Sequence, residues 1–257
     1  MTQQRGTARL GDVVLGEGRV KVIVPITGRT TDELLEQASA LATHDLDVVE
    51  WRVDFFAGAP DADAVVATGR RIVAGLGGRP VLFTFRSAAE GGAREVSPDA
   101  WSALLEAVIA AGIVDAVDVE LHYDRAAADR VRAAAHAAGV PVVGSWHDFD
   151  ATPPAEEIVA RLRAMQERGF DVAKVAVMPS DAGDVLALMQ ATWTMASQHP
   201  QTPVLTLAMA GRGVLTRMAA QVVGSCATFA MVGRPSAPGQ VPVEQLQPIL
   251  TLLDANL

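Results

Sequence analysis

The chain has 257 residues, half of them hydrophobic, with 30 acidic against 21 basic side chains and a net charge of −9. That length suits one large domain, as α/β barrels routinely form, or two small ones, and the acidic balance argues against nucleic acid or an anionic membrane as partner. A single cysteine, Cys226, excludes an intramolecular disulfide and a cysteine-built metal centre, no run reaches the roughly 18 apolar residues of a membrane span, and the polar start MTQQRGTARLGD carries no signal core, so a cytoplasmic protein is expected.

After an expected N-terminal β-hairpin over about residues 8–19, strand-like runs fall at 20–26, 47–53, 80–86, 115–121, 141–146, 171–177, 203–209 and 225–231. Helical patterns, most of them rich in alanine, lie between them at 31–42, 61–75, 98–111, 124–138, 154–168, 181–198 and 214–222, with a last one at 242–254. Thr31 with Asp32, Ser97-Pro98 and Thr152-Pro153 read as helix starts, and Gly112, Gly139 and Gly169 as helix stops. Strand and helix alternating with a repeat near 30 residues predict an eight-stranded parallel (β/α) TIM barrel, one domain over 1–257. A doubly wound open sheet is the competing architecture, but no Gly-x-Gly-x-x-Gly follows the first strand.

In such barrels chemistry collects where the strands end, and here the strand ends are polar. The second closes on Glu50-Trp51-Arg52-Val53-Asp54, whose period-two alternation sends Glu50, Arg52 and Asp54 to one face. The third closes on Thr84-Phe85-Arg86-Ser87 with Glu90-Gly91-Gly92 beyond, and the fifth on Ser145-Trp146-His147-Asp148. The loop after the seventh leads to Arg217, and that after the eighth reads Arg234-Pro235-Ser236-Ala237-Pro238-Gly239-Gln240. Taken singly each has a bland reading: Glu50 with Arg52 as an internal ion pair, His147 as a core histidine, Arg217 as surface charge. Asp118 and Glu120 close the fourth strand without an assignable role. His44, His122, His136 and His199 read as structural.

The sixth strand, FDVAKVAVMP (170–179), holds one charge in an apolar run, Lys174. Only two of the basic residues are lysines, Lys21 and Lys174. A lysine buried among hydrophobes tends to shed its proton and become a nucleophile for carbonyls, which arginine cannot do. The competing reading is a lysine at a strand end, snorkelling to solvent. Lysine, histidine and arginines at one barrel mouth suit chemistry alpha to a carbonyl: a protonated imine acidifies the neighbouring C–H, a histidine moves the proton, and arginine holds a carboxylate. From the residues alone the reading is a Schiff-base lyase or aldolase on a small carboxylated keto compound, with no metal required.

The stretches VVEWRVDFF (48–56), LFTFRSAAEGG (82–92), GSWHDFDATPP (144–154), DVAKVAVMPSDAGDVLAL (171–188), GVLTRMAAQVVGSCATFA (213–230) and SAPGQ (236–240) resemble type I 3-dehydroquinate dehydratase, the shikimate-pathway family that converts 3-dehydroquinate to 3-dehydroshikimate. The resemblance spans most of the chain. It implies Lys174 as the Schiff-base lysine, His147 as general acid/base, Glu90 as the carboxylate orienting it, and Arg217 as partner of the substrate carboxylate. It also implies Glu50, Arg52, Arg86, Ser236 and Gln240 around the ring hydroxyls and carboxylate, SAPGQ as a closing loop, no cofactor or metal, and a homodimer. Pro25 stands where many members have serine, Leu207 and Ala208 where methionine and serine are common, and Trp146 where a smaller aromatic often precedes the histidine, while Met209 is retained. The rival readings are a class I aldolase, which would want a glycine-rich phosphate site, and a non-catalytic sensor, which would need neither Lys174 nor His147.

Overall fold

The computed structural model describes residues 5–257; the first four residues, part of the polar start, lie outside the described residues. A hairpin of β1 (Ala8–Leu10) and β2 (Val13–Leu15) precedes β3 (Lys21–Ile26), α1 (Thr31–Leu41), β4 (Val48–Arg52), α2 (Ala62–Gly75), β5 (Val81–Thr84), α3 (Pro98–Ala110), β6 (Ala116–Glu120), α4 (Arg125–Ala137), β7 (Val142–Asp148), α5 (Ala155–Glu167), β8 (Val172–Val177) and α6 (Ala182–Gln198). The chain finishes with β9 (Val204–Ala208), α7 (Val214–Met218), α8 (Ala220–Val223), β10 (Ala227–Met231), β11 (Val241–Pro242) and α9 (Val243–Asp254).

Strands β3 to β10 run parallel in one sheet, with β10 returning to pair with β3 and the short β11 added beside β10. The sheet curls until β9 meets the residues before β10: the Cys226 amide donates to the Val204 carbonyl at 2.7 Å, and the Thr206 amide to Ser225 Oγ at 3.2 Å. The expected eight-stranded (β/α) barrel is therefore the architecture. Ser225 and Cys226 serve as the closing seam instead of as the start of the last strand.

The period-two pattern sorts the strand residues into two cores. Val49, Trp51, Phe83, Val117, Val175 and their like face the helices, while Ile23, Val48, Leu82, Ala116, Val143, Val172 and Leu205 fill the barrel. Leu10 and Leu15 of the hairpin join that inner cluster, plugging the end opposite the chemistry. On β8 the alternation places Val172, Lys174 and Ala176 on the inner side, so Lys174 stands one layer above an apolar floor.

Local departures have local causes. Thr30, one residue before the expected start, caps α1 by accepting from the Glu33 amide at 3.2 Å. Ser97 caps α3 with Pro98 behind it as expected, whereas Thr152 donates to the Met178 carbonyl and α5 begins at Ala155. The single helix expected over 214–222 is broken at Ala219, whose backbone (φ −97°, ψ 13°) ends α7 and begins α8. The hairpin is shorter than the 8–19 span expected, and β11 adds a strand that the apolar pattern does not signal.

Candidate active site

Lys174 is buried in the middle of β8, with its Nζ 3.4 Å from Asp118 Oδ2, 3.5 Å from Glu50 Oε1 and 4.7 Å above the Phe229 ring. The snorkelling alternative fails on this geometry, because the ammonium ends inside the barrel between two carboxylates. Glu50 is itself held by Thr84 Oγ1, which donates to it at 2.9 Å. Asp118 also accepts from Ser145 Oγ at 2.6 Å and from Arg86 Nη2 at 2.9 Å. Burial works against the Asp118 charge, but Arg86 and Lys174 with these hydrogen bonds outweigh it and hold its carboxyl below the ordinary range.

Arg86 is the hub of the inner charges. Its Nη1 reaches Glu120 Oε1 and Ser145 Oγ at 2.9 Å and Glu90 Oε2 at 3.4 Å. Burial alone would weaken its charge, yet Asp118, Glu120, Glu90 and Glu50 together raise it above the ordinary arginine range. Asp118, Glu120 and Ser145 thus join the site, although their place in the sequence assigned them no role. Their signal was present, since polar residues alternate along two strands that are otherwise buried and apolar.

His147, at the end of β7, meets Glu90 through Nδ1 and Oε2 at 2.9 Å. Burial, then the cations Arg86, Lys174 and Arg52, push the imidazole well below its usual value. Burial also raises the Glu90 carboxyl far above the usual range, with Glu120 and Asp118 reinforcing it against the pull of Arg86. Both partners are therefore driven toward their neutral forms, and the contact is a proton-sharing hydrogen bond more than an ion pair.

Arg217 differs from Arg86 in one decisive respect. It is 1 % exposed, yet among the described residues no carboxylate forms a salt bridge with it, its Nε has no partner, and its Nη1 and Nη2 reach only the Phe229 and Pro238 carbonyls at 3.4 and 3.5 Å. Burial depresses its guanidinium to about 10. A buried, under-satisfied fork of donors has the chemistry to bind an anion, and no described residue supplies one.

These groups line one cavity that includes Glu50, Arg52, Arg86, Glu90, His147, Lys174, Arg217, Ser236 and Gln240, all the site residues expected from sequence. Leu207, Met209 and Phe229 give it an apolar side. Pro25 lies outside, lining a neighbouring cleft with Arg234, and Trp146 stacks outward under Arg161 at 4.0 Å. Ser236 and Gln240 clasp each other: the Ser236 amide donates to Gln240 Oε1 at 2.8 Å, and Gln240 Nε2 donates to Ser236 Oγ at 3.0 Å. The loop is fixed at its far side by the Ala210 amide, which donates to the Pro238 carbonyl at 3.1 Å.

The family model for type I 3-dehydroquinase matches residues 22–256. The 3-dehydroquinate dehydratase of Bacillus licheniformis is 44% identical over 245 residues, 95% of this chain and 96% of that one. That of Listeria innocua is 48% identical over 242 residues, 94% of this chain and 96% of its own. Among solved structures, the type I 3-dehydroquinate dehydratase of Clostridium difficile with covalently modified comenic acid superimposes with a TM-score of 0.96 at 38% identity, covering 99% of this chain and 100% of that one. The enzyme of Geobacillus kaustophilus gives 0.93 at 35%, covering 97% and 96%. A paired lysine, a proton-sharing histidine and an unpaired arginine in one barrel mouth thus coincide with full-length similarity, and the chain belongs to the type I 3-dehydroquinase family, a family of hydro-lyases.

Proposed function

We propose that this chain converts 3-dehydroquinate to 3-dehydroshikimate and water, as one domain, through a Schiff base on Lys174 with His147 as general acid and base. The observation that carries this reading is the cavity lined by Lys174, His147 and a buried arginine, Arg217, that pairs with no carboxylate among the described residues. The substrate carboxylate supplies the missing partner, fixing the ring with its C3 ketone at Lys174. Glu50, Arg52, Arg86, Ser236 and Gln240 surround the hydroxyls. Because Arg86 is already engaged by four protein acceptors, it contributes mainly by holding Asp118 and Glu90 in place.

The Lys174 amine adds to the ketone and the carbinolamine loses water, giving an iminium that acidifies C2. In the proton-poor form of the pair, ionised Glu90 accepts from Nδ1–H, which leaves Nε2 of His147 with a lone pair to take the C2 proton. Once it has done so, the Nδ1 proton passes to Glu90, whose burial favours the neutral acid. His147 is then neutral with a proton on Nε2; as that proton goes to the departing C1 hydroxyl to form water, Glu90 returns its proton to Nδ1 and the starting pair is restored. Water finally hydrolyses the imine. The two protonation states of one buried pair are thus the base and the acid that the two halves of the elimination need.

Borohydride trapping with 3-dehydroquinate, followed by intact and peptide mass analysis, tests this. A stable adduct on the peptide containing Lys174, absent in Lys174→Ala, is expected. A folded protein that gives no adduct with this substrate refutes the reading and returns the aldolase to consideration.

The same reading has the chain working in the cytoplasm as a homodimer, without nucleic acid or membrane. Leu186 and Trp193 lie two turns apart on α6 and are 63% and 52% exposed, and Leu215 and Val222 are exposed on the short helices α7 and α8 that adjoin it. An apolar face of this kind supports self-association. Light scattering coupled to size exclusion checks it, and a monomer at micromolar concentration would refute the dimer.

A further inference from the structure

We infer that Asp54 is a positioning residue for the dehydration, a single buried carboxylate that sets both the Arg52 wall of the cavity and the loop presenting Glu90 to His147; this rests on the Schiff-base reading above. Asp54 sits in the 3-10 turn that follows β4 and is completely buried. Its Oδ1 accepts from Arg52 Nε at 2.8 Å and from the Arg86 amide at 3.4 Å. Its Oδ2 accepts from Arg52 Nη2 at 2.8 Å and from the Ala93 amide at 3.0 Å. An ionised carboxylate offers about four lone-pair positions, and all are taken.

The two backbone donors come from opposite ends of the loop that carries Glu90. Between them the chain makes a 3-10 turn over Ala88–Glu90 and turns back at Gly91 (φ +80°), where a Cβ would stand 2.4 Å from the Phe149 ring. The Gly92 amide closes the loop on the Ser87 carbonyl at 2.7 Å. Arg94 adds a second tie, its Nε donating to the Asp54 carbonyl at 2.8 Å. Contacts therefore run from Asp54 to both ends of the loop, then from Glu90 to His147 Nδ1 at 2.9 Å. On its other side the bidentate pair holds Nε and Nη2 of Arg52, which lines the cavity. An ion pair serving Arg52 alone would have no use for amides from the loop that carries Glu90.

Chemistry also fixes the residue type. Asparagine has nearly the same shape, but its NH₂ would oppose the donors on one side of the group and break the hydrogen bonds there. A loop displaced by a fraction of an ångström detaches Glu90 from Nδ1 and leaves His147 without its proton partner.

The test uses Asp54→Asn, Arg94→Gln and Arg52→Ala in the full chain. It reads kcat and KM across pH, together with borohydride trapping on Lys174. Asp54→Asn is expected to keep the Lys174 adduct while kcat falls by about tenfold to a hundredfold, the scale on which small misplacements act, and the acidic limb of the kcat profile moves. Arg94→Gln, half-buried and away from the cavity, is expected to give the same signature in weaker form, with Arg86, Asp118, Glu120, Lys174 and Arg52 around the pair unchanged. Arg52→Ala is expected to raise KM and, because it removes one of the cations that depress His147, to move the limb toward higher pH. If Asp54→Asn and Arg94→Gln instead raise KM and leave the limb where wild type has it, the positioning role is overturned. Should Asp54→Asn fail to fold, Arg94→Gln decides alone. A wild-type chain that forms no adduct refutes the Schiff-base reading itself and takes this inference with it.

Discussion

Replacing Arg217 by methionine is predicted to make the ligand-free protein more stable while removing its grip on substrate. The guanidinium is buried with an unpartnered Nε and two long contacts to carbonyls. Burial holds it down to about 10, and at ~1.4 kcal/mol for each tenfold change in ionisation this corresponds to about 3 kcal/mol of unfavourable charge burial. The sign follows from linkage: at pH 7 the group is charged in both folded and unfolded chains, so the whole penalty is present, and it is relieved only as pH rises above about 10. Methionine fills a similar path without charge. Once the two weak carbonyl hydrogen bonds are subtracted, the expected gain is about 1–3 kcal/mol, in line with other replacements of buried charge. Each kcal/mol raises Tm by about 2–4 °C in a chain of this size. Against substrate the same change removes a buried charge-assisted pair worth about 2–5 kcal/mol, roughly a thirtyfold to several-thousandfold loss in kcat/KM. Thermal unfolding without ligand measures the first effect. The second is read from the rise in near-ultraviolet absorbance as the conjugated enone carboxylate forms. A Tm that drops by several degrees would show that Arg217 is structurally satisfied, and an unchanged KM would show that it binds no substrate anion; either result refutes the reasoning.

His147→Ala is predicted to keep the borohydride adduct on Lys174 while kcat falls by about 10²–10⁴; loss of the adduct with the fold intact would mean His147 is needed to build the imine as well. Because burial, then Arg86, Lys174 and Arg52, depress His147, the unfolded chain takes up its extra proton first on acidification. The stability His147 contributes is full above about pH 6.5 and is lost as pH falls toward the folded value. Urea unfolding at pH 7 and pH 5 should therefore show a smaller acid penalty in His147→Gln than in wild type, and equal penalties would contradict the assignment. Gly239→Ala is predicted to raise KM and to lower Tm by about 2–12 °C: its φ is +79° and a Cβ would stand 2.2 Å from the Ala210 carbonyl oxygen, a local strain of about 1–3 kcal/mol in the loop that carries Ser236 and Gln240. Unaltered kinetics would show that this loop does not contact substrate.

What the sequence determined by itself is what depends on neighbours along the chain. Alternating apolar residues, turn glycines and the repeat near 30 residues specify parallel strands and covering helices, because period and chain-breaking are local properties. The same alternation places Glu50 with Arg52, and puts Lys174 on the inner side of an apolar strand. The inward placement of Lys174 was legible for that reason, and the matching motifs supplied the roles expected of it and of His147. Only the tertiary structure decided who meets whom. Asp118 reaches Lys174 across 56 residues, and Arg86 meets Glu120 and Asp118 of β6 and Ser145 of β7. Those meetings depend on the stagger between strands and on closure at Ser225 and Cys226, which no short window encodes. The break at Ala219 and the plugging of the barrel by Leu10 and Leu15 were likewise settled by packing. The sharpest case is the pair of arginines: in sequence Arg86 and Arg217 are the same residue, and only the fold surrounds one with carboxylates and leaves the other buried with none of the described carboxylates bonded to it.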